Sequence, residues 1–359
     1  MRFYDALQLD PGALKQKIRE ASSPGERRWF RTALVVRAVL LVAFSILFIG
    51  FLSALFGEEN SAMAVVLFCI LLSIRFVDFG YRIGDSLLNL AAVFFLLLAA
   101  PLVTQLLSPL PAFLVHFGAL SAILLMTCEH PEMGNGGLYG FGYLFLTSGM
   151  VTGPLLWKRC LLTLLGYLLC GSILYRKHRH KHQDLPFRQV AARFDLRRAV
   201  SRWQLRLALG LSLLLALGTP LGLDRFLWAG FACSSLLSTY PAPPRERLLH
   251  RLGGAAAGSL LFAVVYALTP PVLRSLFGPL AGLCLGFCSD YRYKTAFNCF
   301  GALLLAAELY GVTGAVALRL FHNLLGVVFG SLFYRLFWAL VERPFAGRSP
   351  EDISSSEKK

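Results

Sequence analysis

The chain has 359 residues, of which 56% are hydrophobic and 15% charged, against about 25% charged in ordinary soluble domains. An apolar excess of that size exceeds what a water-soluble core holds and excludes a soluble enzyme; hydrocarbon accommodates it, so the chain reads as a polytopic membrane protein. Its 35 Lys and Arg oppose 20 Asp and Glu for a net charge of +15, which in a soluble chain would point to nucleic acid and here has to be tested first against the placement of the spans.

The N-terminal thirty residues are polar and mixed in charge. They lack the short apolar core and small-residue cleavage site of a secretory leader, so no cleavable signal is expected. Residues 10–30 are expected to form an amphipathic helix at the cytoplasmic surface, with Leu14, Ile18 and Trp29 apolar, or else a frayed tail. Twelve apolar stretches then follow, each long enough to be weighed as a span. In the first half they are 38–56, 62–74, 87–107, 112–128, 138–156 and 160–175; in the second, 207–223, 226–240, 252–269, 272–288, 296–310 and 315–334. The second and eighth are short, as tilted or re-entrant segments are. Pro101, Pro111, Pro220, Pro270 and Pro271 mark span ends, and Pro279 predicts a kink within the tenth.

Twelve spans place both termini on one side. Seven Lys or Arg from Lys15 to Arg37 precede the first span, and ten lie between Arg176 and Arg206. Arg75, Arg82, Arg245, Arg247, Arg251, Arg292, Lys294, Arg335, Arg343, Lys358 and Lys359 fall on the same side, whereas the opposite side holds only Lys158, Arg159, Arg225 and Arg274. Most of the +15 is therefore topology, and both termini are expected to be cytoplasmic in a cell (inner or plasma) membrane. The segments follow: 1–37 a cytoplasmic N-terminal segment, 38–175 a first six-helix repeat, 176–206 a basic cytoplasmic linker, 207–334 a second repeat and 335–359 a cytoplasmic tail. The linker run Arg176-Lys-His-Arg-His-Lys-His182 has interleaved cations that would repel a metal, so contact with anionic lipid headgroups is the better reading. The eight cysteines lie in or beside spans without a CxxC pair and read as reduced small hydrophobes.

The halves resemble each other. Val151-Thr152-Gly153, Arg159, Gly166, Gly171-Ser172 and Tyr175-Arg176 align with Val312-Thr313-Gly314, Arg319, Gly326, Gly330-Ser331 and Tyr334-Arg335. Phe117-Gly118-x-Leu120 matches Phe277-Gly278-x-Leu280, and Arg82-x-Gly84 matches Arg251-x-Gly253. Because six is even, the copies enter from the same side, which predicts an all-α membrane protein of about twelve transmembrane helices in two parallel six-helix repeats. Gly254-Ala-Ala-Ala-Gly258 and Gly326-x3-Gly330 are read as close helix-packing faces.

With Arg202-Trp203-x2-Arg206, Phe226-Leu227-Trp228-Ala229 and Arg251-Leu252-Gly253-x4-Gly258 at the starts of its first three spans, the second half resembles the fusaric acid resistance protein-like family of aromatic acid exporters. The first half keeps Arg82-x-Gly84 but has Ser61-Ala62 in place of the Trp and Asn89 in place of the second Gly. The resemblance implies proton-driven export of small aromatic or other organic anions.

An ionisable group inside a span is a functional candidate by default. Glu308 lies near the outer end of the eleventh stretch, and Arg319, His322 and Asn323 share a face of the twelfth. Arg319 is expected to attract a substrate carboxylate while Glu308 or His322 exchanges a proton; the competing reading is an outer-edge ion pair that staples the hairpin. His116 and Asn298 are weaker candidates for the same path. Arg82 and Arg251 are candidate cytoplasmic entrance residues, or simply snorkelling cations. No P-loop, GxSxG, HExxH, haem or dinucleotide fingerprint occurs, so no cofactor, metal site or enzymatic activity is expected. The expected partners are the anion, protons and lipid, with a homo-oligomer or accessory protein open. Two other readings stay in play: an anion channel on the same repeat, and a non-transporting membrane scaffold or envelope enzyme, for which only Glu129-His130-x-Glu132 offers polar residues at an interface.

Overall fold

The computed structural model describes residues 1–241 and 245–345. Lys358 and Lys359, with the rest of the expected tail beyond 345, lie outside the described residues. Within them the chain is helical with no strand. In order come α1 (Phe3–Gln8), α2 (Pro11–Glu20), α3 (Pro24–Phe56), α4 (Ser61–Ile74), α5 (Ile83–Thr104), α6 (Pro109–Thr127), α7 (Asn135–Leu146) and α8 (Gly153–His178). They are followed by α9 (Phe187–Ala192), α10 (Ala199–Gly218), α11 (Leu227–Leu237), α12 (Arg245–Leu268), α13 (Phe277–Phe287) and α14 (Tyr291–Phe337).

Among the described residues seven helices are long and apolar enough to cross a membrane: α3, α5, α6, α8, α10, α12 and the run that begins with α14. That last run is 55 residues, which as one rod would extend about 80 Å, far beyond the roughly 30 Å of a hydrocarbon core. Gly311 resolves the excess. Its φ of 67° and ψ of 168° are non-helical and open to glycine, and they divide α14 into limbs over 291–310 and 312–337 that correspond to the eleventh and twelfth expected stretches. The remaining stretches are short helices. At about 1.5 Å per residue, the 14 residues of α4, 12 of α7, 11 of α11 and 11 of α13 each fall short of the bilayer.

Several expected boundaries move. The stretch 138–156 is divided, with α7 ending at Leu146 and α8 beginning at Gly153, because Gly153 adopts φ 56° and Pro154 fits only the first turn of the helix that follows. The tenth stretch is a 3₁₀ segment, Pro271–Leu276, continuing into α13. Pro279 therefore sits in the first turn, where its missing N–H breaks no helical bond, rather than kinking a span.

The N-terminal segment also differs from one surface helix. Asp10 Oδ1 caps α2 by accepting from the Gly12 and Ala13 amides at 2.7 and 3.1 Å. A second start follows at once, where Ser23 Oγ accepts from the Glu26 amide and Glu26 Oε2 accepts from the Ser22 amide, so α3 begins anew at Pro24. Leu14 is fully buried with Ala6, Phe30, Ala33 and Leu34, and Ile18, Trp29 and Phe287 pack around them. The apolar face expected to meet lipid instead covers the base of α3.

The chain forms two compact units, and each combines parts of both sequence halves. Among the described residues, the first contains 1–54 and 245–325, the second 55–241 and 326–345. In the first, α12 presses against the first limb of α14 through Gly254 and Gly258: a Cβ at Gly254 would come within 2.7 Å of the Arg292 carbonyl oxygen, and one at Gly258 would collide with the Ala296 backbone. Gly286 likewise admits Ala38 of α3. In the second unit α10 packs on α6, α5 on α6 and α8, and α4 on α7 and α8. Gly326 lies against the Ala229 carbonyl and Gly330 against Cys233, so both small-residue faces of the second half are contact faces.

Candidate functional site

In the first unit four polar residues that sequence reasoning had separated into an entrance and a hairpin come together. Arg251, on the second turn of α12, is buried, as are Arg319, His322 and Asn323 on the second limb of α14. Arg251 Nε donates to Asn323 Oδ1 at 3.0 Å, and Asn323 Nδ2 donates to the Arg319 carbonyl at 2.7 Å. The Asn323 side chain thus spans between Arg251 and the Arg319 backbone. Arg251 Nη1 also reaches Tyr291 Oη, a second neutral partner, at 3.5 Å. Arg319 lies within electrostatic reach of both Arg251 and Cys299. The Cys299 thiol donates to the Thr295 carbonyl at 3.4 Å from a fully buried position.

Helix periodicity builds the cluster. Arg319, His322 and Asn323 are three and four residues apart and share one face; on α12, Arg251 is followed along the buried face by Ala255, Ser259 and Phe262. Burying one guanidinium costs on the order of several kcal/mol unless it is hydrogen-bonded or faces an anion. Two buried guanidiniums on facing helices, one of them meeting an amide and a phenol, create a field that a carboxylate would neutralise.

Glu308, the carboxylate expected to face Arg319, is exposed, with no ion pair among the described residues. It lies on the outward side of a turn whose inward residues are Ala306 and Ala307, both buried. Asn298 is exposed too, one position from buried Cys299.

The second unit holds the other candidates, in different settings. Arg159, which aligns with Arg319, makes a hydrogen bond from each of its nitrogens: Nε donates to Asn60 Oδ1 at 2.8 Å, Nη1 to the Gly149 carbonyl at 3.1 Å and Nη2 to the Glu59 carbonyl at 2.9 Å. Arg82, which aligns with Arg251, is half exposed and paired to Asp85 through Nε and Nη2 at 2.8 and 3.0 Å. His116 is buried in α6, with Nδ1 2.8 Å from Tyr143 Oη of α7. The repeat-related positions have therefore diverged in chemistry.

The basic linker is fastened to the carboxylates of Asp78, Asp85 and Glu129 rather than trailing freely. Asp78 receives Lys181 Nζ at 3.0 Å and lies 3.5 and 3.4 Å from His178 and His182. Asp85 accepts from the Phe187 amide at 2.7 Å, and Glu129 receives Arg198 at 3.1 Å. Burial pushes the Asp78 carboxyl upward, but the Lys181 and Gly80 hydrogen bonds and the charges of Lys181 and His182 together hold it below its ordinary value. Sequence reasoning missed these ties, and also missed Cys299, Asn60 and the Arg206–Glu342 pair at 2.7 Å. The partners are tens to more than a hundred residues apart, and no local spacing signals them. All eight cysteines are free, and no group of metal-ligating residues occurs among the described residues.

No curated protein and no solved structure matches the chain. Residues 208–333, a stretch containing Arg251, Arg319, His322 and Asn323, match the fusaric acid resistance protein-like family, and with the seven apolar helices this supports a multi-pass membrane transporter or resistance protein.

Proposed function

We propose that the protein is a secondary exporter of small aromatic or other organic anions, driven by the proton gradient, with the anion bound between Arg251 and Arg319. The observation that carries this is the buried guanidinium pair joined through Asn323, in which Arg251 meets the neutral groups of Asn323 and Tyr291. An anionic headgroup neutralises both cations, and the fork geometry of guanidinium suits a carboxylate. His322, buried one turn from Arg319, is the group in this unit suited to exchange the proton. The chain carries this out in the cell membrane with both termini and the basic linker cytoplasmic, as two six-helix repeats. A family of transporters, not of enzymes, supports the absence of a reaction.

The test is reconstitution with an imposed pH gradient. Uphill movement of an aromatic acid that collapses with the gradient is the expected result, and Arg251→Gln and Arg319→Gln are each expected to abolish it while the protein remains folded. Gradient-independent conductance would replace this reading with a passive pore.

A further inference from the structure

The base of α3 has two faces. One, with Phe30, Ala33 and Leu34, is buried together with Ala6 of α1 and Leu14 of α2. On the opposite face Arg28, Arg31, Val35 and Val39 follow one another at helical spacing, and all four are exposed. We propose that this exposed face binds an anionic phospholipid, with the headgroup phosphate held by Arg28 and Arg31 and an acyl chain lying along Val35 and Val39.

The first support is the level of the residues in a membrane. From Val35 to Phe56, the end of α3, the helix advances about 32 Å, close to the roughly 30 Å of a hydrocarbon core. Val35 therefore falls at one edge of the hydrocarbon, with Arg31 and Arg28 about 6 and 10 Å beyond it. The headgroup layer adds about 5–8 Å on each side, and the long apolar stem of an arginine carries its guanidinium several ångströms toward the phosphates. One face thus passes from guanidinium to aliphatic side chains at the depth where a phospholipid passes from phosphate to acyl chain. A free phosphate would meet only the first part.

The second support is charge. Lys15, Lys17, Arg19, Arg27, Arg28 and Arg31 form no ion pair among the described residues, whereas Lys181 and Arg198 of the linker meet Asp78 and Glu129. The carboxylates of the same N-terminal segment serve local bonds. Asp5 accepts from the Arg2 amide at 3.1 Å, Asp10 caps α2, Glu20 accepts from Gln16 Nε2 at 2.8 Å and Glu26 accepts from the Ser22 amide at 3.0 Å. A zwitterionic headgroup brings a cation that balances its phosphate; a headgroup of net negative charge is drawn to this surplus.

The third support is aromatic. Trp29 packs edge-to-face on Phe3 and Phe30, with centroids 5.6 and 4.9 Å apart, and Tyr4 beside Phe3 is exposed. Such rings, apolar in body and polar at one end, concentrate at the membrane–water interface. Packing of α1 and α2 on α3 fixes these rings and the arginine face in one base. Because that packing covers Leu14 of α2, attraction to lipid rests on the charged face rather than on insertion of an amphipathic helix. The site uses none of the residues of the anion cluster, and its test needs no transport.

Full-length protein in a neutral detergent is mixed with phosphatidylglycerol, phosphatidylcholine or inorganic phosphate. Bound lipid is counted by native mass spectrometry, and the melting midpoint is followed by intrinsic fluorescence. Phosphatidylglycerol is expected to be retained about tenfold more strongly than phosphatidylcholine and to raise the midpoint, whereas phosphate does not raise it. Arg28→Gln combined with Arg31→Gln is expected to weaken phosphatidylglycerol retention at least about tenfold, and Arg28→Lys combined with Arg31→Lys to keep most of it. If the double glutamine variant fails to fold, the wild-type lipid comparison and Arg31→Gln alone decide. Equal retention of the two lipids by the wild type, or undiminished phosphatidylglycerol in the glutamine variants, would overturn the proposal. So would a midpoint raised as much by phosphate as by phosphatidylglycerol, which would make this a site for the free ion.

Discussion

Arg159→Met separates a structural arginine from a substrate-binding one at aligned positions of the two halves. Arg159 makes three hydrogen bonds, to Asn60 Oδ1, the Gly149 carbonyl and the Glu59 carbonyl, and these tie the corner before α4 and the loop before α8 to one helix. Methionine fills much of the same volume but donates to none of them. At about 0.6–1.7 kcal/mol for each polar interaction between membrane helices, three amount to about 2–5 kcal/mol. The carbonyls are near the surface of the corner and can recover water, whereas Asn60 is fully buried and keeps only its donations to the Phe56 and Leu155 carbonyls. The loss should therefore lie toward the middle of that range. Arg159→Lys is expected to recover little, since one ammonium cannot reach acceptors that a planar fork meets in three directions. Unfolding in mixed detergent, followed by circular dichroism, measures the change. The paired variant Arg319→Met is expected to lose anion transport with a smaller stability change. Unchanged stability in Arg159→Met together with lost transport would refute the assignment and make Arg159 a ligand.

Gly258→Leu is expected to force α12 away from α14, because even a Cβ there meets the Ala296 backbone; destabilisation of at least about 2 kcal/mol follows from overpacking, read as lost monodisperse protein on gel filtration. Binding of an aromatic acid to the purified protein should be lost in Arg251→Gln, and binding equal to wild type would place the anion elsewhere. For Asp78 the sign is set by a folded carboxyl held below its ordinary value: the hold on the linker is complete above the unfolded value near about pH 4 and is lost as pH falls through the lower folded value. Asp78→Asn should therefore cut linker protection from trypsin at neutral pH and remove its loss on acidification; unchanged digestion would show that Asp85 and Glu129 hold the linker without it.

The amino-acid sequence by itself determined the solvent and the class of element. A run such as 87–107 has no stable alternative to an apolar helix in hydrocarbon, because each backbone group must be satisfied within the segment. The Gly254/Gly258 and Gly326/Gly330 faces were legible for the same reason: small residues four apart form one face whatever lies opposite. Breaks were less legible. Pro154 and Gly153 end one stretch and Gly311 bends another, yet a glycine in a sequence does not declare the sign of its φ. Only the tertiary structure decided which charges meet. Arg82 and Arg251 stand in the same local motif, but one is exposed beside Asp85 and the other buried on Asn323, since the neighbouring helix, not the motif, supplies the partner. Glu308 and Arg319 are eleven residues apart, yet the first is exposed and the second buried, whereas Arg206 and Glu342 are 136 apart and in contact. Sequence spacing fixes a side chain's direction on its own helix; which helix stands opposite is fixed by packing across the whole unit, and that is where the candidate chemistry lies.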